Sequence, residues 1–182
     1  ALDALDQLHR ESGDHASLLE IVRRKAEIAE SPAARVAELL RVAQLCEESL
    51  ADLPSAIDAL ELVLCEQPVP EAWLGLERLY TKAERYSDLA GLYERMLDAA
   101  AGPPSELRYK LGRVHLDHVR DAEMAIEQFR TTLQSDPGHV ATIETLEKLL
   151  EQETYRGAAA EILEPVYMQK MQWPKLASAL EA

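Results

Sequence analysis

One stretch of the sequence, residues 105–137, constrains the fold more than any other. Two apolar runs at helical spacing lie on either side of a polar break at Arg120–Asp121. The second run stops at Asp136–Pro137, because proline has no amide proton and disfavours helix in the residue before it. The runs are Leu107, Leu111, Val114 and Val119, and then Met124, Ala125, Ile126, Phe129 and Leu133. The pattern predicts two helices joined by a turn, in a unit of about 34 residues.

Similar units recur along the chain. Ala56–Ile57 matches Ala125–Ile126 after a shift of 69 residues, and Leu76 and Leu79 match Leu146 and Leu149 after a shift of 70. A third match, at a shift of 71, relates Leu2, Leu5, Leu8 and Leu18 to Trp73, Leu76, Leu79 and Leu89. The units therefore alternate in type, with a double repeat near 70 residues. We expect one helical-repeat domain over 1–182, with units at about 1–31, 32–70, 71–104, 105–137 and 138–182.

Capping residues and prolines predict where individual helices start and stop. Asp14 and Ser31–Pro32 have the residue types that cap a helix N-terminus, and Thr154 is expected to do the same for a later helix. Pro165 lies inside an apolar pattern and is expected to kink or divide that helix. Trp173–Pro174 is expected to start a last short helix with Leu176 and Leu180.

The 105–137 unit resembles the tetratricopeptide repeat. The positions that carry the resemblance are Leu111–Gly112, Ala125–Ile126, Phe129 and Asp136–Pro137, and in the preceding unit Trp73, Leu76, Tyr80, Tyr86, Leu89 and Tyr93. The resemblance is good over residues 34–151 and weaker at the ends, and the alternation of units is also similar to half-a-tetratricopeptide repeats. It implies an all-α fold, a right-handed α-solenoid of stacked antiparallel helix pairs. Ala43 and Glu77 depart from the small-residue pattern and predict looser packing, and extra residues near Ala51 and Val119 predict longer turns.

In that family the first helix of each pair lines a concave groove that binds a peptide or a helix of a partner protein. The positions that correspond to this groove are Leu40, Gln44, Leu74, Arg78, Lys82, Tyr109, Arg113, Leu116 and Lys148, with Glu47, Glu144 and Glu151 beside them. Arg78, Arg113 and Lys148 would form a basic track that receives an acidic segment. The alternative is that these are ordinary solvated helix residues, because acidic residues follow them at helical spacing. The chain contains no asparagine, so the carboxylate clamp of the family is not expected.

Charge and composition exclude several kinds of partner. The formal net charge is −14, which repels phosphate backbones and anionic membrane surfaces, so we expect no nucleic acid and no membrane partner. No apolar run approaches the roughly 18 residues of a membrane span. We expect a bacterial, cytoplasmic protein, with the reservation that a targeting segment could lie outside a sequence that starts at Ala1. Cys46 and Cys65 are expected to be unpaired small apolar fillers.

No motif for catalysis or for a cofactor is present, so we expect no enzyme activity, no cofactor and no metal site. His115, His118 and Asp121 could share a helix face, as metal ligands do. His115 nevertheless occupies the repeat position that Cys46 and Tyr80 fill, which predicts packing rather than metal binding. Trp73, Trp173 and the tyrosines are expected to be core residues.

Terminal repeats normally carry a polar outer face, whereas Leu2, Leu5, Leu176 and Leu180 are apolar. We therefore expect that the parent protein continues beyond this segment, or that its ends meet. Two functions compete for this sequence: a scaffold with a groove for a partner peptide, and an architectural spacer that associates through its ends.

Overall fold

The computed structural model describes residues 1–175 and 177, and within these ranges the chain is all-α, without a strand. The α-helices are α1 (Leu2–Ser12), α2 (His15–Glu27), α3 (Pro32–Gln44), α4 (Leu53–Glu66), α5 (Pro70–Lys82), α6 (Tyr86–Asp98), α7 (Pro104–Val114), α8 (Ala122–Ser135), α9 (Val140–Leu149) and α10 (Glu153–Gln169). Two π-helical turns, Leu45–Ser49 and His115–Val119, extend α3 and α7. The sequence prediction of an all-α solenoid is confirmed.

The chain divides into two compact units, one of residues 1–92 and one that begins at Tyr93. In the first unit each of the helices α1 to α4 packs against the next, and α4 packs against α5. In the second unit α7 packs against α8, and α8, α9 and α10 contact one another. The helix pairs α1/α2, α3/α4, α7/α8 and α9/α10 each fall inside one of the sequence units predicted above.

Small residues allow neighbouring helices to come close together, as the sequence pattern predicts. Gly112 of α7 is buried, and a Cβ atom built on it would lie only 2.6 Å from Cε1 of Phe129, a fully buried residue of α8. Gly75 of α5 lies in the same way against Leu60 of α4. The prediction of looser packing at Ala43 is wrong, because Ala43 is only 5% exposed where α3 packs on α4.

The extra residues after α3 and α7 form the two π-helical turns. After α3, Ala51 adopts a left-handed conformation with a φ of 53°, and the N–H of Asp52 donates to the carbonyl of Cys46 at 2.8 Å. Asp52 then caps α4 by accepting from the N–H of Ser55. The equivalent turn after α7 has Arg120 at a φ of 62°, a bond of 3.0 Å from Asp121 to His115, and a cap from Asp121 to Met124. The predicted longer turns are therefore the same structure repeated 69 residues apart.

Two of the three predicted N-caps are confirmed. The side chains of Asp14 and Ser31 accept hydrogen bonds from the N–H groups of Ser17 and Ala34, at 3.1 and 3.2 Å. The prediction for Thr154 is wrong, because α10 starts one residue earlier, at Glu153. Pro165 does not divide α10, which runs without interruption to Gln169.

The prediction that the aromatic side chains lie in the core is correct for Trp73, which is 7% exposed, and wrong for Trp173, which is 59% exposed. Trp173 starts a helical segment as predicted, and Leu176 and Leu180 lie outside the described residues. Cys46 is buried and Cys65 is exposed, both as free thiols. Only Cys46 is therefore an apolar filler.

The close approach at Gly112 can be tested by comparing two glycine substitutions. We expect Gly112→Ala to lower the free energy of unfolding by about 1–2 kcal/mol, because the new methyl group overlaps the Phe129 ring. Gly91 lies within α6 with no atom within 4 Å of its built Cβ. Gly91→Ala should therefore raise the free energy of unfolding by about 0.5–1 kcal/mol through helix propensity alone. Urea unfolding followed by circular dichroism measures both; equal stabilisation by the two substitutions would contradict the packing described here.

Candidate functional site

The predicted groove residues of the first unit lie on two neighbouring first helices. Leu74 of α5 is 63% exposed, and Gln44 and Lys82 are also exposed, whereas Leu40 is half-buried. Leu74, Arg78 and Lys82 follow one another at intervals of four residues, so they share one side of α5. We call the group of Leu40, Gln44, Leu74, Arg78 and Lys82 the first face.

A direct ion pair connects the two helices of the first face. The guanidinium of Arg78 donates to the carboxylate of Glu47, which lies in the π-helical turn after α3. The amide of Gln44 donates to Glu48, at 3.0 Å. The structure thus brings the predicted residues of α3 and α5 together, and Glu47 already occupies the guanidinium that was predicted to bind a partner.

The predicted residues of the second unit, Tyr109, Arg113, Leu116 and Lys148, form what we call the second face. Arg113 binds Asp117 through Nε and Nη2, at 2.8 and 2.6 Å, and its Nη1 donates to the hydroxyl of Tyr109 at 3.3 Å. Leu116 is half-buried and packs against the core, whereas Lys148 is exposed on α9. Of the cations predicted to form the basic track, Arg78 and Arg113 are therefore paired within the chain.

Tyr109 connects α7 with the start of α9. Its ring centroid lies 5.4 Å from that of His139 and 6.2 Å from that of Phe129, and its hydroxyl lies 3.4 Å from the hydroxyl of Thr145. Nδ1 of His139 accepts from the N–H of Thr142, which caps α9, and Nε2 faces Glu106 at 3.4 Å. Tyr109 is consequently held in place and can offer only part of its ring and its hydroxyl to a partner.

The most strongly charged cluster of the first unit was not found by sequence reasoning. Asp6 of α1 is only 4% exposed. It accepts from Arg41 at 2.8 Å, and from Arg10 and Lys25 at 2.9 Å each. These contacts tie α1 to α2 and α3. The sequence offered only an acidic residue beside Leu5 and Leu8, and no signal that three cations from three helices converge on it.

These contacts fix the ionisation of the cluster. The pKa of the Asp6 carboxyl lies well below its ordinary value, because Arg41 donates to it and Lys25 and Arg10 add to the effect. The pKa of Lys25 is raised, first by its hydrogen bond to Asp6 and then by Asp3. A carboxylate and an ammonium held this firmly in their charged forms are suited to a structural role and not to proton transfer.

Arg10 and Arg41 also line an open cleft of about 310 Å³ beside the first face. His15, Leu18, Gln44 and Glu48 contribute to the same cleft. The cleft combines an apolar floor with guanidinium groups, so it could accommodate a side chain of a partner that binds the first face.

The side chains that suggested chemistry in the sequence do not assemble into a site. Among residues 1–175 and 177, no group of three or more His, Cys, Asp or Glu side chains is placed to hold a metal ion. His115 is 9% exposed, as its packing position predicted. Burial raises the pKa of the Cys46 thiol, which lowers its reactivity. Within the described residues, no helix is both long and apolar enough to cross a membrane.

Comparison with known proteins supports the fold. A model of the tetratricopeptide repeat family matches residues 72–108, which overlap the unit predicted at 71–104. The chain is a tetratricopeptide-like helical-repeat protein. No curated protein sequence matches it.

Solved structures resemble this tetratricopeptide-like chain over nearly its whole length. The crystal structure of MamA has 17% identity and a TM-score of 0.53, and the match covers 94% of this chain and 97% of MamA. MamA residues 41 to the end from Desulfovibrio magneticus RS-1 match with 18% identity, 94% coverage of each chain and a TM-score of 0.51. A tetratricopeptide repeat protein from Parabacteroides merdae matches with 13% identity, a TM-score of 0.52 and coverage of 99% of this chain and 76% of that one. At these identities the likeness concerns the fold, and a fold of this kind indicates a protein-interaction scaffold in general terms.

The Asp6 cluster predicts how stability depends on pH. Because the pKa of Asp6 is lower in the folded chain than in the unfolded chain, its contribution is complete above an unfolded pKa of about 3.9 and is lost as the pH falls through the lower, folded pKa. At pH 7 we expect Asp6→Asn to reduce the free energy of unfolding by roughly 2–3 kcal/mol, because Lys25 and Arg41 lose their shared partner.

Urea unfolding of both proteins between pH 7 and pH 2 checks this expectation. The difference between the parent chain and Asp6→Asn should shrink as the pH falls below about 4. Asp88→Asn is a suitable control, because Asp88 binds only the exposed Arg85 and should contribute little. A difference that stays constant down to pH 2 would show that Asp6 is not held as a buried carboxylate.

Proposed function

We propose that this chain is a protein-interaction scaffold that binds a peptide or a helix of a partner protein along its first helices. The observation that carries the proposal is a shared arrangement on α5 and α9. On each helix an apolar residue that is 63% exposed, Leu74 or Val140, lies two turns before an exposed lysine, Lys82 or Lys148. An apolar anchor beside a cation suits a partner segment that carries a large apolar side chain and an acidic residue.

The ion pairs of Arg78 and Arg113 fit this proposal. Both guanidiniums are largely exposed, with side-chain exposures of 59% and 44%. Exposed ion pairs contribute only about 0–1 kcal/mol. A carboxylate of the partner can therefore replace Glu47 or Asp117 at little cost, and the guanidinium can bind it through two parallel hydrogen bonds. The internal carboxylates would hold each guanidinium in position until the partner arrives.

The net charge of −14 defines the class of partner further. A surface with this balance favours a protein over nucleic acid or an anionic membrane, because most of the surface repels phosphate groups. A scaffold of this kind would act without a cofactor and without catalysis, and we place it in the cytoplasm.

A second candidate function is that of an architectural spacer without a dedicated ligand. It is favoured by the fact that Arg78 and Arg113 are both paired within the chain, as ordinary solvated helix residues would be. Light scattering over a range of concentrations tests whether such a spacer self-associates.

The partner-binding hypothesis predicts the outcome of a charge reversal. We expect the double variant Arg78→Glu/Arg113→Glu to lose most of its capture of an acidic partner from a lysate of the source organism, by at least about tenfold, since two attractive contacts become repulsive. Quantitative mass spectrometry of the captured proteins measures this loss.

The matched control is Arg24→Glu/Arg130→Glu. These arginines lie on the second helices α2 and α8, pair with Glu27 and Glu161, and change the net charge by the same amount. Capture should be retained in this control. If both double variants lose the partner equally, the attraction is a general effect of charge; if neither does, the first helices are not the binding surface.

A further inference from the structure

One apolar surface of α1 is uncovered. Ala1, Ala4, Leu5 and Leu8 lie along one side of the helix, and all four are exposed, with Leu5 at 40% and Leu8 at 57%. The opposite side carries the buried Asp6. Ordinary surface helices bury their leucines and expose their carboxylates, so α1 has an inverted pattern. We call the set of Ala1, Ala4, Leu5 and Leu8 the α1 face.

The internal repeat of this chain shows what an α1 face looks like when it is covered. The match at a shift of 71 residues relates α1 to α5, and it extends to the following helices, where Leu18 and Leu89 are each 3% exposed. At this shift the residues of the α1 face correspond to Ala72, Gly75, Leu76 and Leu79 of α5. Ala72, Leu76 and Leu79 are completely buried.

The helix that covers this surface on α5 is α4. A Cβ atom on Gly75 would lie 2.6 Å from Cδ1 of Leu60, so the two helices are in close contact there. The hydroxyl of Tyr80 donates to Glu61 of α4 at 2.6 Å, directly beside this contact. The occupant of the equivalent surface is therefore defined chemically: an amphipathic helix with a leucine over the small residue and a carboxylate one position later.

We propose that the α1 face binds an amphipathic helix of the α4 type, supplied by a partner protein. The contact stripe of this helix carries leucine, valine and alanine, and its leucine packs over Ala4 between Leu5 and Leu8. A second copy of this chain is a poor source for the helix. Its own α4 is already packed between α3 and α5, with Ala56, Ile57, Leu60 and Val63 buried.

This inference concerns a surface other than the first face. Leu5 and Leu8 belong to α1, whereas the partner-binding residues proposed above belong to α3 and α5. A variant of Leu74, which is exposed on α5, can therefore separate the two proposals.

A synthetic peptide of residues 52–67, with Cys65→Ser to prevent disulfide exchange, is the probe. It reproduces α4 with its capping residue Asp52. A free helix of this length is marginal in water, so we expect its helical content to rise when it binds the 182-residue chain. Fluorescence anisotropy of the labelled peptide measures the affinity, and hydrogen exchange of the chain should show new protection in α1.

Substitutions in the chain and in the peptide locate the binding site. Leu5→Glu/Leu8→Glu should weaken binding by at least about tenfold, because two carboxylates would be desolvated against an apolar stripe. Leu74→Glu in the chain should leave the affinity unchanged, and Leu60→Glu in the peptide should abolish binding. Leu5 and Leu8 are exposed, so their substitution is expected to leave the helical circular dichroism of the chain intact.

Four results would overturn the proposal. The first is absence of binding, and the second is binding that ignores Leu5→Glu/Leu8→Glu. The third is loss of binding with Leu74→Glu, which would place the peptide on the first face. The fourth is faster exchange in the α4 of the chain, which would show that the peptide displaces the native helix. A concentration-dependent dimer that Leu5→Glu/Leu8→Glu abolishes would instead identify a second copy as the occupant.

Discussion

The close contact of Gly112 with the Phe129 ring is the interaction on which the α7/α8 pair depends. A side chain at Gly112 would meet the ring at 2.6 Å, so only a hydrogen at that position lets α7 lie directly on α8. The contact orients both helices, and α7 then presents Tyr109 and Arg113 on its outer side. Gly75 and Leu60 have the same relation between α4 and α5. In each unit the candidate binding residues are positioned by helix contacts of this kind, and loops contribute little.

Electrostatics adds a second constraint, because cations are scarce in a chain of charge −14. Arg10, Lys25 and Arg41 are committed to Asp6, where they join three helices. Exposed cations on the first helices are consequently valuable for recognition, even where a carboxylate of the same chain already pairs with them. The difference between the two groups is burial: Asp6 is enclosed and holds its partners firmly, whereas Arg78 and Arg113 can exchange theirs.

Periodicity and capping chemistry were sufficient to predict the helical pairs, the repeat near 70 residues and the contact of Gly112 with the second helix, because these features are local. Sequence reasoning failed where several segments must meet in space. It did not find the Asp6 cluster, and it placed the exposed Trp173 in the core. For the candidate site it named Leu74 and Lys148 by their repeat positions, but it missed Val140 and the pairing of Arg78 with Glu47 across two helices. Such contacts depend on the angle between helices, which spacing along the chain does not define.

The central claim is that the first helices of the pairs, and not the second helices, receive the partner. Site-specific photo-crosslinking measures this directly, with a photoreactive phenylalanine analogue placed at one position at a time. Leu74 and Val140 on first helices, and Leu62 and Met124 on second helices, are all exposed and suit the comparison. The account predicts that the same partner is crosslinked from Leu74 or Val140 and not from Leu62 or Met124. Crosslinks to that partner from Leu62 or Met124 alone would contradict it.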